Sequence, residues 1–146
     1  MSRNTLIGRI TSTDSSKATI VPRALAAVPL IGINIQHLTG AAPLRPILEG
    51  ANIPMPGVNA VLGPVFGVIA GLLLISGAFA RVGSAIAVGS MGMAIYAHAV
   101  HDWADEPPIV LPVVVLLAGA WVLWKGAGAW SVDGRSVGTL PAGQPA

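Results

Sequence analysis

The side chains of this chain that are best suited to chemistry are three histidines and a tyrosine. His37 lies near the end of one apolar stretch, and Tyr96, His98 and His101 lie close together near the end of another. An imidazole can take up or release a proton near neutral pH and can bind a metal, and a phenol can donate a hydrogen bond. Such a group could bind a quinone headgroup, relay protons or hold a metal. The alternative for each residue taken alone is ordinary hydrogen bonding to loops and water.

The elements that must position these residues are four apolar stretches, at about 21–38, 58–79, 82–100 and 109–126. A helix needs roughly 20 apolar residues to cross the hydrocarbon of a bilayer. Hydrophobic residues make up 53% of the chain and charged residues only 10%, well below the about 25% of charged residues in a soluble domain. We therefore predict an all-α integral membrane protein, an antiparallel up-down bundle of four transmembrane helices. In this arrangement His37 and His98 reach a similar depth on the same side.

The charged residues divide unequally between the two sides that four crossings would define. The side with both termini and a turn at Arg81 has seven basic and two acidic residues, whereas the other side has one basic and four acidic residues. Lys and Arg are retained on the cytoplasmic side of membranes. We therefore expect a multi-pass protein of the bacterial plasma membrane with both termini in the cytoplasm. Its flexible tails would be 1–19 and 132–146, and its membrane domain 20–131.

Composition also limits the partners and the chemistry. The basic residues do not form a patch interleaved with aromatic side chains, so we expect the lipid bilayer as a partner and no nucleic acid. The chain has no cysteine, which excludes disulfides, thiolate catalysis and zinc–thiolate sites within it. We assign no catalytic residue and no metal ligand.

Small residues and one arginine complete the candidate positions. Gly63, Gly67 and Gly71 recur every four residues on one face of the second span, and Gly89 lies in a third span that is similarly smooth. Small residues allow helix backbones to approach closely in lipid, so these glycines predict tight helix packing. The alternative is a homo-oligomer that meets along the glycine ridge. Arg23, at the inner end of the first span, is a further candidate for a ligand or proton role, because a charge in an apolar span is costly.

The connection at 39–57 is long and contains four prolines. We predict that it lies at the outer interface and contains a short helix at 46–50. Two interpretations remain for it: simple packing on the surface of the bundle, or a lid over a cavity that faces outward.

Several segments together resemble one known family. They are GLLLISGAFARVGS from Gly71, VPRALAAVPLIGINIQHLTG from Val21, AIYAHAVHDWADEPP from Ala94 and WKGAGAWSVD from Trp124. Their order and spacing resemble the DoxX-like membrane proteins, in which Arg23 would match a recurrent early arginine. The chain departs from this pattern at Gly67, where many relatives carry a glutamate. The resemblance implies a four-helix inner-membrane protein associated with respiratory, sulfur or oxidative-stress redox chemistry.

Three hypotheses for the function follow. The first is an accessory membrane subunit that anchors a redox complex and is not itself catalytic. The second is a quinone-interacting oxidoreductase subunit that uses His37, Tyr96 and His98, with Arg23 and Arg81 on the inner side. The third is a small transporter of lipids or other small molecules.

Overall fold

The computed structural model describes residues 17–100, 109–128 and 130–133, and every long regular element in these ranges is an α-helix. The all-α prediction is therefore confirmed. After a 3-10 turn at Lys17–Thr19, the helices are α1 (Ile20–Thr39), α2 (Arg45–Gly50), α3 (Pro56–Ser76), α4 (Ala80–Val100) and α5 (Val110–Lys125). The short helix in the proline-rich connection thus starts one residue earlier than expected.

The turn between α3 and α4 lies before Arg81 and not at it. Gly77 adopts φ 68° and its N–H donates to the carbonyl of Leu73 at 2.9 Å, which ends α3. A left-handed residue after the last turn is a common helix terminus, and glycine adopts it without steric cost. Arg81 therefore belongs to the first turn of α4.

The four long helices form a ring in the order α1, α3, α4, α5, with α5 closing against α1. Asn34 on α1 lies over Gly67 on α3, and Ala27 and Ile31 lie near Gly71, so α1 and α3 run in opposite directions. One end of the ring contains the start of α1, the α3–α4 turn and the end of α5; we call it the Arg23 end. The other contains the end of α1, α2 and the start of α5; we call it the His37 end.

The interior is built mainly from alanine and glycine. The larger of two buried apolar clusters contains seven alanines with Leu30, Leu74, Met91, Val115 and Val122. A Cβ on Gly71 would clash with Ile31, and one on Gly83 would lie 2.9 Å from the carbonyl oxygen of Ala70. These contacts require small residues because the helix backbones themselves approach closely.

The outer faces of the helices are apolar and exposed. Within the described residues, α3 and α4 are long and apolar enough to cross a membrane, and α5 is a shorter apolar helix. Only 28% and 22% of the residues in the apolar windows of α3 and α4 are buried inside the protein. A core helix of a soluble protein would be mostly buried, and an apolar surface of this extent needs an apolar surrounding.

Two glycines of α4 give a matched test of this packing. Gly83→Ala should lower the free energy of unfolding by about 1–3 kcal/mol, because the added methyl group forces α4 away from the backbone of α3. Gly89→Ala should be neutral or slightly stabilising, since nothing lies within 4 Å of its Cβ position. Thermal unfolding of both variants in the same detergent measures the difference. Equal effects would show that α3 and α4 do not pack as described.

Candidate functional site

A cavity of about 600 Å³ opens at the His37 end of the bundle. Side chains from all five helices and from the α1–α2 connection line it. Most of them are apolar, including Leu30, Ile33, Ile53, Met91 and Val115. Among the described residues, no Asp, Glu, Lys or Arg lines the cavity. Its volume falls in the range of about 300–1,000 Å³ that small-molecule sites occupy.

His37 and His98 both line this cavity, so the structure brings these two candidates into one space. Nδ1 of His37 lies 2.6 Å from the carbonyl oxygen of Ala42, and Nδ1 of His98 lies 2.8 Å from that of Ala94. A carbonyl oxygen can only accept, so each Nδ1 must carry a hydrogen and donate it. In the neutral ring, Nε2 is then the acceptor.

Two asparagines also line the cavity. Nδ2 of Asn34 donates to the carbonyl of Leu30 at 2.6 Å, and Nδ2 of Asn59 donates to that of Pro54 at 2.7 Å. Asn34 is 7% exposed and lies directly over Gly67, where a Cβ would clash with its amide. The glycine that replaces the expected glutamate therefore makes room for the Asn34 amide.

Other candidates lie elsewhere. Tyr96 is half-exposed and does not line the cavity, and His101 lies outside the described residues. Gly67 lies at the α1–α3 contact together with Gly71, whereas Gly63 and Gly89 have open space at their Cβ positions and border the cavity. Within the described residues, no group of three or more His, Asp or Glu side chains could hold a metal ion.

Sequence reasoning missed Asn59 and Ser90 as cavity residues. Both are polar residues inside apolar helices, and that is the signal that could have identified them. Asn34 and Gln36 carry the same signal near the end of α1 and also line the cavity.

Arg23 lies at the opposite end of the bundle and is only 6% exposed. Its guanidinium donates to the carbonyls of Leu74 and Ile75, at 2.9 and 2.7 Å, in the last turn of α3. It also donates to the carbonyls of Ala127 and Trp130, at 3.0 and 2.9 Å, in the C-terminal segment (126–128 and 130–133). The last carbonyls of a helix have no partner within the helix and carry negative partial charge, which a cation satisfies.

Asp133 has the complementary role at the start of α4. Its carboxylate accepts from the backbone N–H of Phe79 at 2.9 Å and of Ala80 at 3.1 Å, which are free at a helix N-terminus. Its own N–H donates to the carbonyl of Gly77 at 3.1 Å. Asp133 is buried, so the folded part of the chain extends past the boundary placed after residue 131.

Two exposed tryptophans lie at the Arg23 end. Trp124 is 72% exposed and Trp130 65% exposed, and Nζ of Lys125 lies 5.2 Å from the ring centre of Trp124. Tryptophan and lysine at the end of an apolar helix are typical of the interface between hydrocarbon and lipid headgroups.

An apolar helical bundle of this kind, with exposed apolar faces and tryptophan and lysine at one end, is a helical membrane protein. The DoxX family model matches residues 18–101, more than half of the chain, and the chain belongs to this family. The matched range contains Arg23, His37 and His98, whereas the C-terminal segment that contacts Arg23 follows it. Searches of the curated proteins and of the solved structures gave no match.

Arg23 and Arg45 offer a matched pair of substitutions. Arg23→Met should lower the free energy of unfolding by at least about 3 kcal/mol, because it leaves buried carbonyls without a donor. Arg45 forms only an exposed ion pair with Glu49, so Arg45→Met should cost about 0.5 kcal/mol or less. Unfolding of both variants in lipid nanodiscs gives the comparison. Similar losses in the two would contradict a special role for Arg23.

Proposed function

We propose that all four long helices cross the membrane and that both termini lie in the cytoplasm. At 1.5 Å per residue, α1 is roughly 30 Å long, enough for the hydrocarbon core, while α5 is roughly 24 Å long and ends at an interfacial tryptophan and lysine. The alternating directions of the helices support an even number of crossings. Arg23, Arg81 and Lys125 lie at one end of the bundle, which supports a cytoplasmic Arg23 end of a bacterial plasma membrane protein. The terminal residues outside the bundle would then be cytoplasmic tails.

The absence of cysteine makes this orientation easy to test. Ala41→Cys, in the connection after α1, and Ala78→Cys, in the α3–α4 turn, each introduce a single thiol. In intact cells, a membrane-impermeant maleimide should label Ala41→Cys and should not label Ala78→Cys until the cells are lysed. Labelling of both variants in intact cells would contradict the four crossings.

We further propose that the cavity binds an uncharged amphipathic molecule of the quinone class. The observation that carries this proposal is the cavity itself, an apolar space with His37, His98 and Asn34 in its lining. Apolar walls suit a substituted ring and its tail, and a few polar side chains suit the oxygen atoms of a headgroup. The lack of charged lining residues in the described part of the chain supports a neutral ligand.

In this proposal the chain binds the ligand as an accessory subunit of a redox complex. A redox complex that draws on lipid-soluble carriers needs a subunit that holds the carrier within the membrane, and this chain contains no cysteine for thiol redox chemistry or for an iron–sulfur cluster of its own. We therefore propose that the chain is a membrane subunit that anchors soluble redox proteins and presents a quinone-class molecule to them. Isolation in mild detergent, with identification of the bound proteins and lipids, tests the anchoring part.

Filling the cavity tests the binding part. Ala94 lines the cavity, whereas Ala85 on the same helix is exposed and does not. Ala94→Phe should weaken binding of decylubiquinone and its reduced form at least tenfold in nanodiscs, measured by fluorescence or calorimetric titration, because the added ring occupies the ligand's space. Ala85→Phe should bind as the parent does. Unchanged binding in Ala94→Phe, with an unfolding temperature near the parent's, would place the ligand elsewhere.

A further inference from the structure

The exposed residues of α4 define the side of this helix that faces the bilayer. Most of them recur at spacings of three or four positions, which is the spacing of one helix face. They are Val82, Ala85, Gly89, Met93, Tyr96 and Val100. Two of them, Gly89 and Met93, also line the cavity. The cavity therefore extends outward as far as the surface that α4 presents to lipid.

The cavity reaches this surface along the edge of α4 that faces α3. Gly83 marks that edge, because its Cβ would lie 2.9 Å from a backbone carbonyl oxygen of α3, and Ser90, about two turns further along the same edge, lines the cavity. Val88 marks the opposite edge, since a Cβ on Gly119 of α5 would lie 3.3 Å from its side chain. Neither Val88 nor Gly92, one turn further on, lines the cavity.

On the α3 side, Gly63 lies opposite this edge. It precedes Ala70, whose carbonyl contacts α4, by about two turns and so lies on the same face of α3. No described atom lies within 4 Å of a Cβ placed at Gly63 or at Gly89. Met93 is 48% exposed although it lines the cavity. Helices α3 and α4 thus pass from close contact to an open gap, framed by Gly63, Gly89 and Met93, which we call the α3–α4 window.

The window lies within the apolar length of both helices. Gly63 is seven positions after Pro56, the first residue of α3, which places it roughly 10 Å along the helix. Leu62 and Phe66 beside it are exposed apolar residues. If α3 and α4 cross the membrane, hydrocarbon surrounds this level, so an opening here faces lipid and not water.

We propose that the ligand enters and leaves the cavity sideways from the bilayer, through the α3–α4 window, and that the side chain of Met93 is its gate. A molecule of the quinone class dissolves in hydrocarbon and can reach this opening without crossing water. Methionine suits a gate because its unbranched side chain has three rotatable bonds and adapts to a passing group. This inference rests on the proposed function, because it concerns how the same ligand reaches the same cavity.

Entry from the aqueous side is the alternative route. Gln36 and Pro43, near the end of α1 and just after it, are exposed and also line the cavity. The two routes admit different molecules: a window in the hydrocarbon admits those that dissolve in lipid, whereas an aqueous mouth admits those that dissolve in water.

A reversible block of the window tests the route. The chain has no cysteine, so Met93→Cys introduces a single thiol, to which a benzyl methanethiosulfonate adds a bulky ring through a reducible disulfide. Association of decylubiquinone with the modified variant in nanodiscs should be at least about fivefold slower, because the ring must first move aside. Reduction, followed by removal of the reductant, should restore the rate. Tyr96→Cys, modified in the same way on the same helix face but outside the cavity, should associate at the unmodified rate.

The order of modification separates a gate from a wall of the site. Modification of Met93→Cys after decylubiquinone has bound should slow its dissociation by a similar factor, because the window is also the exit. Faster dissociation, or an unchanged association rate, would overturn the window. If Ala94→Phe still weakens binding in that case, the proposed ligand site stands and the entry lies elsewhere. If the parent chain binds no decylubiquinone, the proposed function fails as well.

Narrowing the window from α3 is an independent test. Gly63→Leu places a side chain in the gap, and Gly92→Leu places the same side chain on α4 away from the cavity. Both variants should fold, since no described atom lies within 4 Å of either Cβ position. Gly63→Leu should slow association and dissociation of decylubiquinone at least about threefold, and Gly92→Leu should match the parent chain. Equal rates in the two variants would overturn the window.

Discussion

The buried guanidinium of Arg23 is the interaction on which the assembly of the bundle depends. Its planar fork reaches carbonyls in two separate segments, the last turn of α3 and the C-terminal segment. Those carbonyls would otherwise be unsatisfied in an apolar setting, where each missing bond is costly. Asp133 performs the matching task for the free N–H groups at the start of α4. One end of every long helix is thereby brought to the same polar cluster. A lysine could not reproduce this, because it lacks the fixed fork of donors.

Tight packing at the Arg23 end contrasts with an opening at the His37 end. At Gly71 and Gly83 neighbouring helices approach closely, in the part of the bundle nearer the Arg23 end. Gly63 and Gly89 face open space beside the cavity. At that end, Leu48 of α2 and Ile53 pack with Ala97 of α4 in a second apolar cluster. The proline-rich connection is therefore part of the cavity wall. Glycines at regular spacing thus serve two purposes, close contact in one half of the bundle and free volume in the other.

Hydrogen bonds to nearby backbone carbonyls hold the polar side chains of the cavity in place. Histidine and asparagine can each donate or accept, and their types alone left a quinone headgroup, a proton relay and a metal as alternatives. The carbonyls of Leu30, Ala42 and Pro54 each engage one nitrogen of Asn34, His37 and Asn59, which fixes the orientation of these side chains. Ala42 and Pro54 lie in the α1–α2 connection and just before α3, so the same irregular segments that form the wall also orient polar side chains of the cavity.

Composition and periodicity alone determined the helical class, the membrane setting and the approximate helix bounds, because apolar runs of this length have few other stable arrangements. The family followed from the resemblance of several motifs. The sequence also indicated that His37 and His98 belong to one end, since alternating helices place both there. Tertiary structure alone decided that Arg23 and Asp133 satisfy helix ends, since their partners lie more than 50 positions away along the chain. It likewise decided which glycines are packed, that Tyr96 lies outside the cavity, and that Asn59 and Ser90 line it. Each of these depends on how helix faces are rotated against one another, which is set by packing between distant segments and not by any local pattern.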